Sequence, residues 1–354
     1  MLMGMTPNFI CRSFNQGTIT MPAPAGRVNG TARNEFAYRS LANHNSHPGR
    51  QRTAMRKLNV SLLAAVALLG LALGAWLYVQ LRALDVVPVT EDLHMITGLG
   101  GNVGVLKTGV GTVIVDSMTF KLQGEHIRQL AESITGEPLI AVINTHYHSD
   151  HTHGNPGFPA GIMVVSTART LEHLHQLDGE YWQGDAADLL PNQTFVDEET
   201  LTFGDKTLHL LHPGRGHTDG DLIVLFVEDA AVHLGDLYFN RRYPNIDLEA
   251  GGSVVTWGDT LDAVLALQFT HVIPGHGDLG DRAGVEQFQR FMRQLAAVGN
   301  RAAAAGQSKA EMIETAAFTE DAGYQPMEIP FVLGLNRAFV LGRAWEEATG
   351  RIGH

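Results

Sequence analysis

Hydrophobic and polar positions divide the chain into three stretches. Residues 1–54 are rich in Asn, Ser, Thr, Gly, Pro and Arg without sustained periodicity, a composition that predicts a disordered basic leader. From Leu58 to Leu81 no residue is charged, and Asn59, Ser61 and Gln80 are the main polar interruptions. A helix rising about 1.5 Å per residue needs about 20 residues to cross a hydrocarbon core, and this run is long enough. Met55-Arg56-Lys57 precedes it like the basic start of a secretory signal. Residues 55–84 therefore read either as a signal peptide cleaved near Gly74 or Ala75, or as a retained transmembrane anchor, with the body outside the cytoplasm. The absence of a clean Ala-x-Ala site and the length of the run favour the anchor. Translation from Met55 would leave the leader out of the natural product.

From about Asp85 the pattern becomes that of one globular domain, 85–354. "HMITG", "NVGVLKTG" and "GTVIVDS" are short β-rich runs separated by Gly-containing turns, a meander. "FKLQGEHIRQLAESI" has helical spacing, with Ile127, Leu130 and Ile134 on one side. "LIAVINTH" and "GIMVVS" read as strands, and "TARTLEHLHQL" as a helix. "KTLHLLHPG", "DLIVLFVED" and "AAVHLGD" follow as three further strands. "GSVVTWGDTLDAVLAL" reads as a helix capped by Ser253, and "THVIPGHG" as a strand ending in a loop. Residues 281–303 and about 327–348 have amphipathic helical patterns. Two blocks of strands, each followed by helices, predict an α/β fold of two sheets packed face to face with helices outside.

Composition narrows the function. The net charge is −12, yet residues 1–57 hold eight Lys/Arg against one acid, Glu35, so the remainder carries −19. An acidic body argues against nucleic acid as the partner. The one cysteine, Cys11, lies in the leader, so the body has neither a thiolate nucleophile nor a Cys-rich zinc site.

The chemistry-bearing residues recur at predicted strand ends. In "HYHSDH", His146 and His148 are two apart, and in an extended segment both side chains point the same way, toward one metal. Asp150 and His151, past the turn, point elsewhere and suit a second. "PGRGHTDGD" adds His217, "HLGDLYF" adds Asp236 and "VIPGHG" adds His276, each in a Gly-flanked loop.

His146-x-His148-x-Asp150-His151, then His217, Asp236 and His276, resembles the metallo-β-lactamase superfamily over roughly Asp85 to Gly280. The resemblance implies an αββα sandwich with two mixed β-sheets and a binuclear centre at one edge. It places His146, His148 and His217 on a first metal, Asp150, His151 and His276 on a second, and Asp236 between them. It also implies two divalent ions, zinc first with iron or manganese as alternatives, sharing a hydroxide generated near neutral pH. Asp150 would orient that nucleophile and move its proton. Small-molecule esters, thioesters, lactones and β-lactams are the implied substrates. The largest class of β-lactamases in the family has a cysteine on the second metal, and this body has none. Having both His151 and Asp236 is more like glyoxalase II and lactonases. A mononuclear-iron persulfide dioxygenase is the alternative enzyme, and a non-catalytic binding module the alternative outside enzymology.

For the substrate, Tyr238, Asn240, Arg241, Arg242 and Tyr243 follow the bridging aspartate and are candidates to contact a carboxylate or oxyanion. An ordinary surface loop explains them equally well. His173 and His175 read as surface residues, His209 and His212 as structural, and His233 and His271 as satisfied core histidines. His153 reads equally as an outer partner of the centre and as an exposed loop residue, and Asn155 as a loop anchor.

Overall fold

The computed structural model describes residues 66–76, 78–329 and 333–352. The leader and the start of the apolar run, through residue 65, lie outside the described residues, as do the expectations attached to them. Residues 66–76 and 78–82 are helical, and Val66, Leu69, Leu71, Trp76 and Val79 are exposed on them. Among the described residues no helix is long and apolar enough to cross a membrane. The predicted spanning helix is thus not found there, because the run from Leu58 is described only from residue 66 onward.

The first sheet holds seven strands in chain order: β1 (Asp85–Pro88), β2 (Leu93–Thr97), β3 (Val103–Lys107), β4 (Thr112–Val115), β5 (Leu139–Ile143), β6 (Met163–Thr167) and β7 (Gln193–Phe195). The first four form the expected antiparallel meander, and β4 to β7 pair in parallel. The second sheet orders β13 (Gly280–Asp281), β12 (His271–Ile273), β11 (Ala231–His233), β10 (Ile223–Phe226), β9 (Lys206–Leu211) and β8 (Glu198–Phe203). Its pairs are antiparallel except β11 with β12.

Strand alternation sorts the apolar residues into three layers. Val113, Val115, Ala141 and Ile143 face Leu208, Leu210, Val224 and Ile273 across the space between the sheets. Ile114, Val142 and Val164 face the other way, onto Ile127 and Ala131 of the helix Lys121–Thr135. Ile223, Val232 and Val272 of the second sheet meet Trp257, Phe288, Phe291 and Leu341 from the helices Val254–Leu265, Arg282–Ala304 and Arg337–Thr349. This is the expected αββα sandwich.

Three details differ from the sequence reading. The buried stripe of Lys121–Thr135 is Gln123, Gly124, Ile127, Ala131 and Thr135, leaving Leu130 and Ile134 half-buried. Gly124 belongs to that stripe because the helix there sits very close to the chain at Gly154. A Cβ on Gly124 would lie 1.9 Å from the Gly154 carbonyl oxygen. Next, the pattern over 327–348 resolves into β14 (Met327–Ile329) paired with β15 (Leu333–Leu335), and the helix begins only at Arg337. Asn336 sets that start, its side chain accepting a hydrogen bond from the Phe339 N–H. A further helix, Lys309–Thr315, closed by a Ser308/Glu311 capping box, was absent from the reading. Ser253 caps its helix as expected, accepting from Thr256 N–H.

Topology brings the ligand loops to one edge. The parallel strands β11 and β12 leave the sheet at the same end, so Asp236 and His276 emerge side by side. Gly275 N–H donates to Gly235 O at 2.7 Å, and Asn102 N–H and Leu222 N–H stitch the two sheets together there, to Gly275 O and Thr145 O at 2.8 Å each.

Gly124→Ala should lower stability by about 1–3 kcal/mol through overpacking. Ser133→Ala, on the exposed face of the same helix, should stay within about 0.5 kcal/mol. Denaturant midpoints compare the two, and equal midpoints would refute the close-approach account.

Candidate metal centre

All seven predicted ligands converge. His146, His148, His217 and Asp236 form one group, and Asp150, His151 and His276 another, with the donor atoms of each within 4.8 Å of one another. Asp236, 4% exposed, stands between them. Its Oδ1 lies 3.2 Å from His151 Nε2 and 3.5 Å from His276 Nε2. Its Oδ2 lies 3.5 Å from His217 Nε2 and 3.8 Å from His146 Nε2. Asp150 Oδ2 reaches His276 Nε2 at 3.2 Å. Such close approach needs a bare backbone at Gly275, where a Cβ would lie 2.0 Å from Asp236 Oδ1.

Local structure aims each donor. His146 and His148 follow β5 in irregular backbone, and His148 is the extended N-cap of a single helical turn, Ser149–Thr152, that carries Asp150 and His151. Asp236 sits in the 3₁₀ turn Gly235–Leu237 after β11.

Outer hydrogen bonds fix the tautomers, as assigned from the network. His148 Nε2 is 2.9 Å from Asp247 Oδ2, which leaves Nδ1 facing the centre without a proton. His217 Nδ1 donates to the Asn245 carbonyl at 3.0 Å, leaving Nε2 bare. Thr145 Oγ1 donates to Asp116 Oδ2 at 2.8 Å, so it accepts from His146 Nδ1 at 3.0 Å. His151 Nδ1 meets the same Asp116 oxygen at 2.7 Å. Inward lone pairs then face one another: His217 Nε2 and His148 Nδ1 are 2.8 Å apart. His146 Nε2 and Asp236 Oδ1 are buried with no hydrogen-bond partner among the described residues. Facing lone pairs and orphaned buried acceptors are unfavourable unless a cation lies between them. The residues therefore fit divalent ions, with nitrogen and oxygen donors of the kind zinc accepts.

Electrostatics agree. Burial opposes charge on Asp236, but His276, His151, His217 and His146 hold its carboxyl well below the usual range. Burial also opposes charge on His276, but Asp236 and Asp150 outweigh it and raise the imidazole to about 9. His151 is raised as well, against burial, by Asp236, Asp150 and Asp116. Burial lowers His217 to about 4, with Asp236 opposing in part. Without metal, protons on His151 and His276 balance the carboxylates.

Asp116 and Asp247 are functional residues that the sequence reading missed. Asp116 ends the buried strand run "TVIV", and a lone acid there was the available signal. Asp247 lies in "PNIDLEAG", which carries none. The reading also erred on His173, which is 3% exposed rather than on the surface. It is held at 2.6 Å by Asp219, which also binds Arg169 and so ties its own loop to the helix Ala168–Gln176. His175 is exposed as expected. His233 is a satisfied core histidine: Gly235 N–H donates to its Nδ1, and its Nε2 lies 3.3 Å from Asn102 O. His153 anchors a loop, with Nε2 2.7 Å from Asp178 and its ring stacked on Tyr181. Asn155 ties Ser117, Asn144 and Leu189 together.

The five candidate substrate contacts separate. Tyr238 is 1% exposed and packs on Phe288, and Tyr243 is buried with its hydroxyl donating to Asp321. Tyr243 is a correction: the chain after Asp236 sends its ring beneath the outer helices, onto Phe291. Asn240 braces the His276 loop, its N–H donating to His276 O and its side chain to Asp278 O. Arg241 is exposed and Arg242 half-buried, beside the Tyr324–Gln325 turn. Tyr238, Asn240 and Arg241 line a cleft of about 400 Å³ with Leu279 and Gln287.

The family model described as the metallo-beta-lactamase superfamily matches residues 96–276, more than half of the chain. The chain belongs to the metallo-beta-lactamase superfamily. A type 2 metallo-beta-lactamase of Bacillus cereus is 28% identical over 181 residues, covering 50% of this chain and 67% of the relative. A hydroxyacylglutathione hydrolase of Rhodospirillum rubrum is 28% identical over 157 residues, 43% of this chain and 53% of the relative. This chain thus spans about half the length of that second protein. Among solved structures, a metallo-beta-lactamase from Pontibacter korlensis superposes with a TM-score of 0.52 at 20% identity, over 59% of this chain and 99% of the other. One from Hirschia baltica gives 0.50 at 21%, over 59% and 97%. At such identities these superpositions speak to the fold. Family and sequence relatives together support a metal-dependent hydrolase of this superfamily.

Metal must displace protons from His276 and His151. The sign follows: His276 is protonated below about 9 in the metal-free protein, so ion uptake at pH 7 releases protons. Apparent affinity at the Asp150–His151–His276 position should rise by roughly tenfold per pH unit between pH 6 and 8 for each proton displaced. Titrations in weakly buffered solution with a pH indicator check this, and uptake without proton release would contradict it.

Proposed function

We propose that this chain holds two divalent ions, most simply zinc, and hydrolyses an ester, thioester, lactone or β-lactam. The observation that carries the reading is Asp236, with one oxygen turned to each group of histidines. A carboxylate buried in that way suits two cations and is wasted on one. When bound, such ions supply Lewis acidity, lowering the pKa of water and polarising a carbonyl.

The protein's own contribution begins with His146, His148 and His217, whose inward lone pairs are set by outer partners before any substrate arrives, beside His151, oriented by Asp116, and His276, stacked on Phe239. Asp150 has a side chain 34% exposed where that of Asp236 is 3% exposed, so it is the carboxylate that a substrate meets. Its Oδ2 can orient a water by hydrogen bonding, take its proton and deliver it to the leaving group. Arg241 and Asn240, in the cleft beside the His276 loop, are the candidate contacts for an acidic part of the substrate. The lack of a body cysteine and the hydroxyacylglutathione hydrolase relative support thioesters and lactones alongside β-lactams. Export to the periplasm rests on sequence alone, on the basic Met55-Arg56-Lys57 ahead of the uncharged run.

The test is a hydrolysis screen of the metal-quantified protein against a β-lactam, a lactone, a glutathione thioester and a phosphodiester. At least one of the first three should turn over. His148→Ala and Asp236→Ala should each lower that rate beyond the roughly 10–100-fold typical of an outer-partner loss. Undiminished rates in both would sink the mechanism. One iron per chain with oxygen uptake would mark a sulfur dioxygenase, and no turnover in the fully metallated protein a binding module.

A further inference from the structure

His148 is the weakly held member of its group. Its side chain is 18% exposed, whereas those of His146 and His217 are 1% and 0% exposed. Packing alone therefore leaves its ring free to flip, which would replace the inward Nδ1 by a C–H, and to exchange tautomers, which would turn an N–H toward His217. The residue between the two histidines, Tyr147, addresses both freedoms. Its ring lies 4.5 Å from that of His148, tilted at 52°. Its hydroxyl donates to Asp247 Oδ2 at 2.5 Å, the same oxygen that receives His148 Nε2 at 2.9 Å.

Asp247 is in turn tied to the loop that positions His217. Its N–H donates to His217 O at 3.1 Å, and its Oδ1 accepts from Ala250 N–H at 3.0 Å. On its other side Tyr147 packs 5.2 Å from His173, whose Nε2 is fixed by Asp219. The phenol is thus braced at both ends and joins the His146–His148 segment to the loop 245–252.

We infer that Tyr147 is a positioning residue for one of the two metal positions, holding His148 with Nδ1 inward by bracing its ring and completing the acceptor Asp247. The inference rests on the two-ion reading above. It assigns the hydroxyl an effect on the His146–His148–His217 position alone, since Asp150, His151 and His276 are oriented through other partners. His151 has Asp116, and the His276 ring stacks on Phe239 at 5.2 Å.

The experiment titrates the metal-free full chain with Co²⁺, followed by visible absorption, and with Zn²⁺ against a chromophoric chelator. It compares the parent with Tyr147→Phe and Tyr147→Ala. In the Phe variant, which keeps the ring, one of the two binding steps should weaken by about tenfold and the other stay unchanged. In the Ala variant the same step should weaken further. In the Co²⁺ proteins one paramagnetically shifted imidazole N–H should exchange faster with water in the Phe variant, a change that mere loss of fold stability does not produce. Titration curves that superimpose on the parent, or two steps that weaken equally, would overturn the inference. A parent that takes up fewer than two ions would overturn the two-ion reading and this inference with it, and that failure appears in the unmutated chain.

Discussion

A carboxylate with a side chain 3% exposed, lying within 3.8 Å of four imidazole nitrogens, is the constraint around which this protein is arranged. Such a group is tolerable in a low-dielectric interior only with compensating positive charge. The sandwich provides two ways to supply it. Protons on His151 and His276 serve when metal is absent, and cations between the donors serve when it is present. The fold's part is to bring four loops from two sheets to one edge and to keep them there with backbone hydrogen bonds.

Around His146, His148 and His217 the outer hydrogen bonds make that edge selective for cations over protons. An imidazole free to choose its tautomer would turn a proton inward and quench the demand for metal. Asp247, Thr145 and the Asn245 carbonyl remove the choice for His148, His146 and His217, while His151, whose Nδ1 meets Asp116, and His276 take the protons. Pre-organisation here is chemical as well as steric: the lone pairs are aimed, and they are also kept bare.

The sequence made the inward donors legible because their signal is local. Two histidines at a spacing of two on an extended segment, and Gly-flanked His or Asp after apolar runs, follow from strand geometry. The layered αββα fold was legible for the same reason, through alternation at residues such as Val113, Ile114 and Val115. The outer shell was not. Asp247 lies 99 residues from the histidine it orients, and no periodicity connects them. His173 was misplaced because its partner Asp219 comes from a distant loop. Tyr243 looked available because it follows Asp236 closely in sequence, whereas the helical layer claims its ring for its core. At 327–348 the apolar pattern suited a strand pair and a helix equally well, and Asn336 divides them.

The division of ligands between the two sheets carries a mechanical meaning. His146, His148, Asp150 and His151 leave the first sheet after β5, while His217, Asp236 and His276 belong to loops of the second. A cation in either group therefore fastens one sheet to the other at its open rim, as a rivet holds two plates. Separating the plates then requires rupture of coordination bonds as well as loss of apolar contact. The donor edge and the seam of the sandwich are one structure, so occupancy by cations would set how firmly it is closed.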